Sequence, residues 1–216
     1  MTLTDTKNKP NILNMTSVFK SRFIFGLGNP GNEYANTRHN AGRMLLEVFR
    51  IQNQLSDWQY KKTGDALVSK GTVDDVEITL VEPETYMNLS GASVKHFIKN
   101  PDDALRLIVI HDDIDLALGS WKISWDRGDG GHNGLKSINE TLRTKKFLRL
   151  RIGVLPVVNG VKEKPKGEDA VASFVLGKFL SGEKLILERS MVDMVIVLKE
   201  LLTLTKDEAM NKWNKK

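Results

Sequence analysis

An apolar run at residues 23–28 is followed by a polar, glycine-rich segment that carries Asn29 and His39. Loops at the carboxyl ends of buried strands are where open α/β sheets place their chemistry, because such loops converge without disturbing the core. An imidazole has an unperturbed pKa of about 6.5, so it can accept a proton from water at neutral pH. His39 is therefore the first candidate for a general base.

Three further polar segments follow predicted strands or precede predicted helices. Residues 82–91 carry Met87 and Asn88, residues 111–115 read His-Asp-Asp-Ile-Asp, and the glycine-rich residues 128–137 carry Asn133. Asn88 by itself is typical of a cap or a turn. The glycines near Asn133 fit either a tight turn or a nest of backbone amides for phosphate, with Asp129 arguing against the nest.

The three carboxylates at residues 111–115 raise the question of a metal site. A metal needs several hard ligands that converge on one point, whereas successive side chains leaving a strand alternate in direction. We therefore expect one of the three carboxylates to face inward, and we predict no metal site.

Residues 26–31 match the G-x-G-x-x-G pattern of dinucleotide-binding sites. In that motif a helix follows at once and its amides meet the pyrophosphate. Here Pro30 and Gly31 extend the turn, and helical spacing begins only near Ala41. No acid ends a second strand about 20 residues later, because Glu47 lies within the helical stripe. We interpret these glycines as turn residues, which disfavours a Rossmann-like nucleotide enzyme.

The elements that would position these residues alternate between strands and helices. Helical spacing occurs at residues 41–54 and 91–98, from about residue 134, and at residues 182–204. Apolar runs suited to buried strands occur at residues 23–27, 76–81, 107–110, 121–125 and 147–154. This alternation predicts a single-domain α/β fold with a mixed, twisted sheet and helices on both faces. The strands near Val76 and Trp121 are expected at antiparallel edges.

The helix at residues 182–204 is predicted to be the last regular element, with Ser181 as its N-cap. Its buried face is expected to carry Leu185, Val192, Val195 and Ile196. Residues 158–169 are too polar and glycine-rich to pack, so they predict an exposed, mobile loop.

Composition excludes several classes of protein. The 216 residues are 40% hydrophobic, enough for one buried core, and the absence of cysteine excludes disulfides, thiolate metal sites and a cysteine nucleophile. No apolar run approaches the roughly 20 residues that span a bilayer, and no secretory signal is evident. We therefore expect a cytoplasmic protein without a membrane partner.

Net charge is +5 and the isoelectric point is about 9.3. From Arg143 to Arg151 there are five cations and no acid. For that run alone we favour a solvated helix end followed by a strand over a site for a polyanion.

We divide the chain into three parts. Residues 1–20 are rich in Thr, Asn and Lys and are interpreted as a disordered leader, or as residues upstream of a start at Met15. Residues 21–210 are expected to form the folded domain, and residues 211–216 a basic tail.

Eight ordered blocks connect these segments. They are Gly-Leu-Gly-Asn-Pro-Gly at 26–31, Tyr34, Thr-Arg-His-Asn-Ala-Gly at 37–42, Met-Asn-Leu-Ser-Gly at 87–91, His-Asp-Asp-Ile-Asp at 111–115, Gly-His-Asn-Gly-Leu-Lys at 131–136, Leu-Arg-Ile-Gly at 150–153 and Phe-Val-Leu-Gly-Lys-Phe at 174–179. Together they resemble the bacterial-type peptidyl-tRNA hydrolase family over roughly residues 22–209. The resemblance implies a phosphorylase/hydrolase-like fold and hydrolysis of the ester between a peptide and tRNA, without metal or organic cofactor.

The resemblance also implies roles for the matched residues. His39 would be the general base that activates water, and Asp112 the inward carboxylate that orients it. The residues that bind the peptide or position the water would be Asn29, Tyr34, Met87, Asn88 and Asn133. A carboxamide suits a peptide backbone because it offers both a donor and an acceptor without charge. Which amide stabilises the oxyanion stays open.

Recognition of tRNA needs cations for phosphates and few base contacts. Arg151 matches the family's phosphate-contacting arginine. Family members commonly place a second cation where this chain has Ser124 and Trp125, so Lys122 or Arg127 is expected to substitute. The predicted tRNA surface also includes Lys136, Arg143, Lys145, Lys146 and Arg149.

A non-catalytic RNA-binding protein on the same scaffold is the alternative, as among the plant organelle splicing factors that resemble this family. Retention of His39, Asp112 and three asparagines argues against it, because RNA binding alone requires neither a base nor its orienting acid. We expect a monomer whose partner is peptidyl-tRNA.

Overall fold

The main sheet has seven strands in the order β2-β3-β4-β1-β5-β7-β6. In the computed structural model, which describes residues 19–214, these strands are β1 (Ser21–Gly26), β2 (Gln59–Lys61), β3 (Ala66–Val73), β4 (Val76–Pro83), β5 (Leu107–Ala117), β6 (Trp121–Trp125) and β7 (Leu148–Leu155). A separate hairpin joins β8 (Val157–Val158) and β9 (Val161–Lys162). The helices are α1 (Ala41–Gln52), α2 (Ser90–Phe97), α3 (Asn133–Leu142), α4 (Glu168–Leu176), α5 (Ser181–Glu200) and α6 (Lys206–Trp213).

Four neighbouring strands run in parallel. β1 pairs in parallel with β4 and β5, and β5 pairs in parallel with β7. The carboxyl ends of these strands therefore meet at one edge of the sheet, where the polar segments after β1 and β4 and the polar half of β5 come together.

Apolar side chains of successive strand residues alternate between two cores, one on each face of the sheet. Ile24 packs in the core beneath α1, α5 and α6, whereas Phe25 packs in the core beneath α2 and α3. The predicted single-domain α/β fold with helices on both faces is confirmed.

Gly42 allows α1 to run close to the sheet. A Cβ atom at this position would lie 2.5 Å from the carbonyl oxygen of Ile110 and 2.7 Å from the backbone nitrogen of Leu27. Only a glycine fits this approach, which brings the turn before α1 against the end of β5.

The predicted edge position of the Val76 strand is wrong, whereas that of the Trp121 strand is confirmed. β4 lies inside the sheet because β3 covers its other side through eight antiparallel pairs. The sequence did not reveal β2 and β3, because β2 is polar and exposed and β3 contains Lys70 and Gly71.

The predicted start and buried face of α5 are partly wrong. Leu180 is the N-cap and Ser181 the first helical residue, because the Glu183 carboxylate accepts the Leu180 backbone N–H. Val195 is buried as predicted. The other expected core residues are exposed, namely Leu185, Val192 and Ile196. Methionines and leucines set the true face, which carries Leu187, Met191, Met194 and Leu198.

Helices α4 and α6 were not predicted. α4 begins within the predicted loop at residues 158–169, most of which is exposed and part of which forms the β8–β9 hairpin. α6 follows α5 and includes residues 211–213 of the predicted tail. Of the predicted leader at residues 1–20, residues 1–18 lie outside the described residues. Within residues 19–214, no helix has the length and apolar character needed to cross a bilayer.

Candidate active site

A cleft of about 1120 Å³ opens at the carboxyl edge of the parallel strands. Its lining includes every residue predicted for catalysis and peptide binding: His39, Asp112, Asn29, Tyr34, Met87, Asn88 and Asn133. Helix α4 forms one wall of this cleft with Val171, Val175 and Leu176.

His39 lies on a 3₁₀ turn (Arg38–Asn40) that leads directly into α1. Two hydrogen bonds of 2.9 Å fix this turn to the end of β1: the backbone N–H of Asn29 donates to Asn40 Oδ1, and Asn40 Nδ2 donates to the Asn29 carbonyl. His39 Nδ1 lies 2.9 Å from Asp112 Oδ1 on β5, although 73 residues separate the two along the chain. Nε2 makes no hydrogen bond within the described chain and is not enclosed, so it is accessible from the cleft.

A second imidazole contacts the same carboxylate oxygen and was not predicted as a site residue. His132 Nε2 lies 3.0 Å from Asp112 Oδ1, while His132 Nδ1 accepts the backbone N–H groups of Gly134 and Leu135. Because Nδ1 is the acceptor, Nε2 carries the proton, and this N–H group donates a hydrogen bond to Asp112. The available signal was the place of His132 immediately before a predicted helix, where side chains accept backbone N–H groups.

Burial and charge act in opposite directions on this group. Burial of His39 favours the neutral imidazole, but the charge and hydrogen bond of Asp112 outweigh it and raise the pKa of His39 above its usual value. Burial of Asp112 favours the protonated acid, but His39 and His132 outweigh it and hold the pKa of that carboxyl far below its usual range. Asp112 is therefore ionised throughout the neutral range.

His111 is a third imidazole beside the cleft and is 3% exposed. Its Nδ1 donates to the Asp112 carbonyl oxygen at 2.7 Å, and its buried Nε2 has no partner within the described residues. Burial, with a further contribution from His132, holds the pKa of His111 well below its usual value. His111 is thus a neutral side chain, and its ring packs edge-on against His132.

The asparagines differ in how they are held. Asn29 Oδ1 accepts the Met87 backbone N–H at 2.8 Å, which leaves its amide NH₂ group as the part available to a ligand. Asn88 and Asn133 are exposed in the cleft, and their side chains make no hydrogen bond with other described residues. Their amide groups are therefore free to bind a substrate.

The ligand atoms of His39, Asp112 and His132 lie within 4.8 Å of one another, a spacing that also suits a metal. A zinc ion would need lone pairs from all three at about 2.0–2.2 Å. His132 instead presents an N–H group, and the N···O distances of 2.9 and 3.0 Å are those of hydrogen bonds. The absence of a metal stays a prediction, which chelation tests.

The peptidyl-tRNA hydrolase family model matches residues 23–216. The chain belongs to the peptidyl-tRNA hydrolase family. The peptidyl-tRNA hydrolase of Syntrophotalea carbinolica is 40% identical over 194 residues, covering 89% of this chain and 96% of the relative. That of Koribacter versatilis is 37% identical over 197 residues, covering 90% and 93%.

Solved structures agree with this assignment to the peptidyl-tRNA hydrolase family. The crystal structure of the enzyme from Acinetobacter baumannii superposes with a TM-score of 0.80 at 32% identity, covering 92% of this chain and 97% of that one. The alternative of a non-catalytic RNA-binding protein is not supported by these relatives, which are named as hydrolases.

The cations predicted for this peptidyl-tRNA hydrolase family member divide into two groups. Arg127, Lys136, Arg149 and Arg151 line the cleft. Arg151 is 5% exposed and its Nε donates to Asp113 Oδ2 at 2.7 Å, while its two Nη groups make no hydrogen bond with other described residues. Lys122 does not line the cleft but stands directly opposite Arg151 in the β6–β7 pairing, so the two side chains leave the same face of the sheet.

The expectation that Arg149 lies on a surface is contradicted. Arg149 is 1% exposed, and its guanidinium donates to the carbonyls of Arg127 and Gly128. Burial lowers its pKa to about 10, so it stays protonated at neutral pH. Every residue of β7 is buried, because helices or loops cover both of its faces. Arg149 therefore supports the glycine-rich segment from inside.

Arg143, Lys145 and Lys146 lie before the amino end of β7, away from the cleft lining. All three are exposed. The structure thus separates the cation run of the sequence into an arginine bonded to backbone carbonyls, an arginine paired with Asp113 and a distinct exposed group.

Proposed function

We propose that this chain hydrolyses the ester that joins a peptide to tRNA in peptidyl-tRNA. The observation that carries the proposal is the His39–Asp112 hydrogen bond inside a cleft lined by three asparagines, in a member of the peptidyl-tRNA hydrolase family. An accessible imidazole nitrogen beside an ionised carboxylate suits abstraction of a proton from water.

In the proposed mechanism, His39 Nε2 takes a proton from a water molecule as the water oxygen bonds to the ester carbonyl carbon. The imidazolium is stabilised by Asp112, which also keeps Nδ1 as the donor. The tetrahedral intermediate then expels the ribose oxygen, which receives the proton back from His39. His132 donates a second hydrogen bond to the Asp112 oxygen that contacts His39 and so helps to fix its position.

The asparagines would bind the peptide. The free NH₂ group of Asn29 supports a role as a donor to a carbonyl oxygen or to the oxyanion, a contribution of about 10²- to 10³-fold in rate for one such donor. We assign Asn88 and Asn133 to the peptide backbone and the attacking water, with Tyr34 and Met87 as further contacts. Recognition through backbone groups predicts indifference to the sequence of the peptide.

The RNA would be held by phosphate contacts. We assign these contacts to Arg151, Arg127 and Lys136 at the cleft, with Lys122 beside Arg151 as the second cation. We exclude Arg149, because its guanidinium bonds to backbone carbonyls. We also propose that the chain acts as a monomer in the cytoplasm, and size-exclusion chromatography at micromolar concentration tests the first part.

The decisive assay is incubation of the purified protein with N-acetyl-aminoacyl-tRNA. Release of free tRNA that is unaffected by EDTA is the expected result, because the reacting groups are side chains alone. Intact substrate after prolonged incubation would refute the proposal. Loss of activity with EDTA would instead indicate that a metal ion bound by His39, Asp112 and His132 is needed for the reaction.

A first variant separates catalysis from binding. His39→Ala should lower kcat by about 10²- to 10⁴-fold, since general-base help is removed. The dissociation constant for deacylated tRNA should stay within about twofold, because the imidazole contacts no predicted phosphate site. A large loss of binding with normal turnover of bound substrate would contradict the base assignment.

A further inference from the structure

A second open cavity, of about 590 Å³, lies between α2 and α3 and outside the catalytic cleft. Lys95 of α2 and Arg143, just after α3, face it from opposite sides. Leu89 and Thr141 contribute an apolar surface and a hydroxyl group. The cavity is thus a shallow, mixed surface that two cations flank.

The linings of the cavity and the cleft include sequence neighbours on two elements. On the turn before α2, Asn88 lines the cleft and its neighbour Leu89 lines the cavity. On α3, Lys136 lines the cleft and its neighbour Ser137 lines the cavity. The cavity thus lies next to the cleft, within reach of a long ligand that is bound there.

The cations here lack acidic partners. Lys95 and Arg143 form no ion pair within residues 19–214, and the same holds for Lys145 and Lys146 just beyond the cavity. Glu140 is the single carboxylate of the cavity lining. Two cations against one carboxylate leave the lining with net positive charge, which attracts polyanions.

We propose that the cavity between α2 and α3 binds a backbone phosphate of the RNA part of the substrate while the ester lies in the cleft. The inference rests on the proposed function and adds Lys95, Thr141 and Leu89 to it. Lys95 and Arg143 would contact phosphate oxygens, the Thr141 hydroxyl would donate to one, and Leu89 would pack against a ribose.

Spacing along α3 supports a polymer over a small anion. Lys136 lies on α3 and Arg143 is its C-cap, seven residues later, so the helix separates them by about 10 Å along its axis at 1.5 Å per residue. Nucleic-acid strands repeat their phosphates every few ångströms, about 3.4 Å of rise per nucleotide in a duplex. One strand can therefore reach both cations with phosphates a few nucleotides apart, whereas a single small anion cannot.

The test compares two substrates with the double variant Lys95→Ala/Arg143→Ala. The first is N-acetyl-aminoacyl-tRNA, and the second is the same ester on the terminal nucleoside alone, which carries no backbone phosphate. At about 50 mM salt, KM for the tRNA substrate should rise about tenfold more than KM for the short one. The salt slope of deacylated tRNA binding should fall by about 1 for each phosphate that the variant no longer neutralises.

Two controls sharpen the result. Arg189→Ala removes an exposed arginine from α5 on the opposite face of the sheet. It should change neither the ratio of the two KM values nor the salt slope of tRNA binding. Glu140→Gln removes the acid from the cavity and should tighten tRNA binding by about twofold. Equal KM changes on both substrates, or no change in the salt slope, would overturn the inference.

Failure of the proposed function has a different signature. In that case the parent protein cleaves neither substrate. If the parent cleaves both substrates and the double variant has the same KM as the parent on both, the hydrolase assignment is supported and the proposed phosphate site is refuted.

Discussion

At the scale of single residues, one oxygen of Asp112 accepts hydrogen bonds from two imidazoles. The buried carboxylate stays ionised because both neighbours stabilise its charge. Its hydrogen bond to Nδ1 of His39 leaves Nε2 as the nitrogen that can take a proton. His132 cannot replace His39 as the base through the same geometry, because its Nδ1 is occupied by two backbone N–H groups.

Asp112→Asn should move the acid limb of the pH–rate profile to lower pH. The native carboxylate raises the pKa of His39, so activity is lost as pH falls through a value above the usual one. Without the carboxylate, burial alone acts, and it lowers the pKa of His39. The maximal rate should also fall, by up to about 10⁴-fold as in hydrolytic triads. Measurement of kcat/KM between pH 5 and 9 checks this, and an acid limb that does not move would show that Asp112 does not set the protonation of His39.

Arg151 and Arg149 are two residues apart on β7, yet they should respond differently to substitution. Arg151→Ala should weaken tRNA binding and lower its salt slope by about 1, because a cation in the cleft lining is removed. Arg149→Met should instead lower the free energy of unfolding by about 1.5–3 kcal/mol, since buried carbonyls lose a charged donor. Salt titration of binding and denaturant unfolding of both variants separate the two roles. Equal salt slopes for Arg151→Ala and the parent would show that the phosphate-binding surface lies elsewhere.

At the scale of elements, Arg38 connects the turn that carries His39 to the α4 wall of the cleft. Its guanidinium donates to the carbonyls of Phe174 and Lys178 and to Glu183, and it packs 4.5 Å from the Phe174 ring centroid. Backbone hydrogen bonds from Arg38 to Gly177 and from Phe179 to Asn36 reinforce this connection. The end of α4 is thus tied to the residue next to the base.

Arg38→Met should loosen α4 without unfolding the sheet. Loss of hydrogen bonds to a charged group costs about 1.5–3 kcal/mol, so amide exchange in α4 should accelerate by about ten- to a hundredfold. KM should rise because one wall of the cleft is no longer fixed. Lys178→Ala is the matched control, since Lys178 offers Arg38 only its backbone carbonyl. Hydrogen exchange followed by mass spectrometry measures the effect, and unchanged exchange in α4 would exclude this coupling.

At the scale of the whole molecule, Arg22 links the first strand to the end of α5. It is 2% exposed, and its guanidinium donates to the carbonyls of Leu105, Leu202 and Leu204. Burial lowers its pKa to about 10, so the side chain remains charged at neutral pH. The amino-terminal strand and the carboxyl-terminal helices are thereby fixed to each other, far along the sequence.

Arg22→Met should lower the free energy of unfolding by about 1.5–3 kcal/mol, because three carbonyls lose a charged donor. In a domain of this size, that corresponds to a fall in Tm of roughly 3–12 °C. Turnover per folded molecule should match the parent, since Arg22 lies at the amino end of β1, opposite the cleft. Calorimetry and the ester assay at 20 °C check both parts. Reduced turnover with normal stability would mean that the Arg22 contacts affect the geometry of the cleft.

The sequence by itself determined the α/β class, the position of most central elements and the polar segments that form the cleft. It did so because these features are local: apolar periodicity marks strands and helices, and a polar segment after a strand marks a loop. Short or polar elements such as β2 and α6 were not predicted, and most of the residues predicted for the buried face of α5 lie on its exposed face. Periodicity cannot distinguish the side of a helix that meets the core when apolar residues lie on both sides.

Only the tertiary structure decided which of these residues act together. His39 and Asp112 are 73 residues apart, and nothing local in the sequence fixes the 2.9 Å between their side-chain atoms. The same holds for the contact of His132 with Asp112. It also holds for the different partners of two nearby arginines, since Arg149 bonds to backbone carbonyls and Arg151 bonds to Asp113. Protonation and charge depend on neighbours and on exposure to water, and folding sets both by bringing distant segments together.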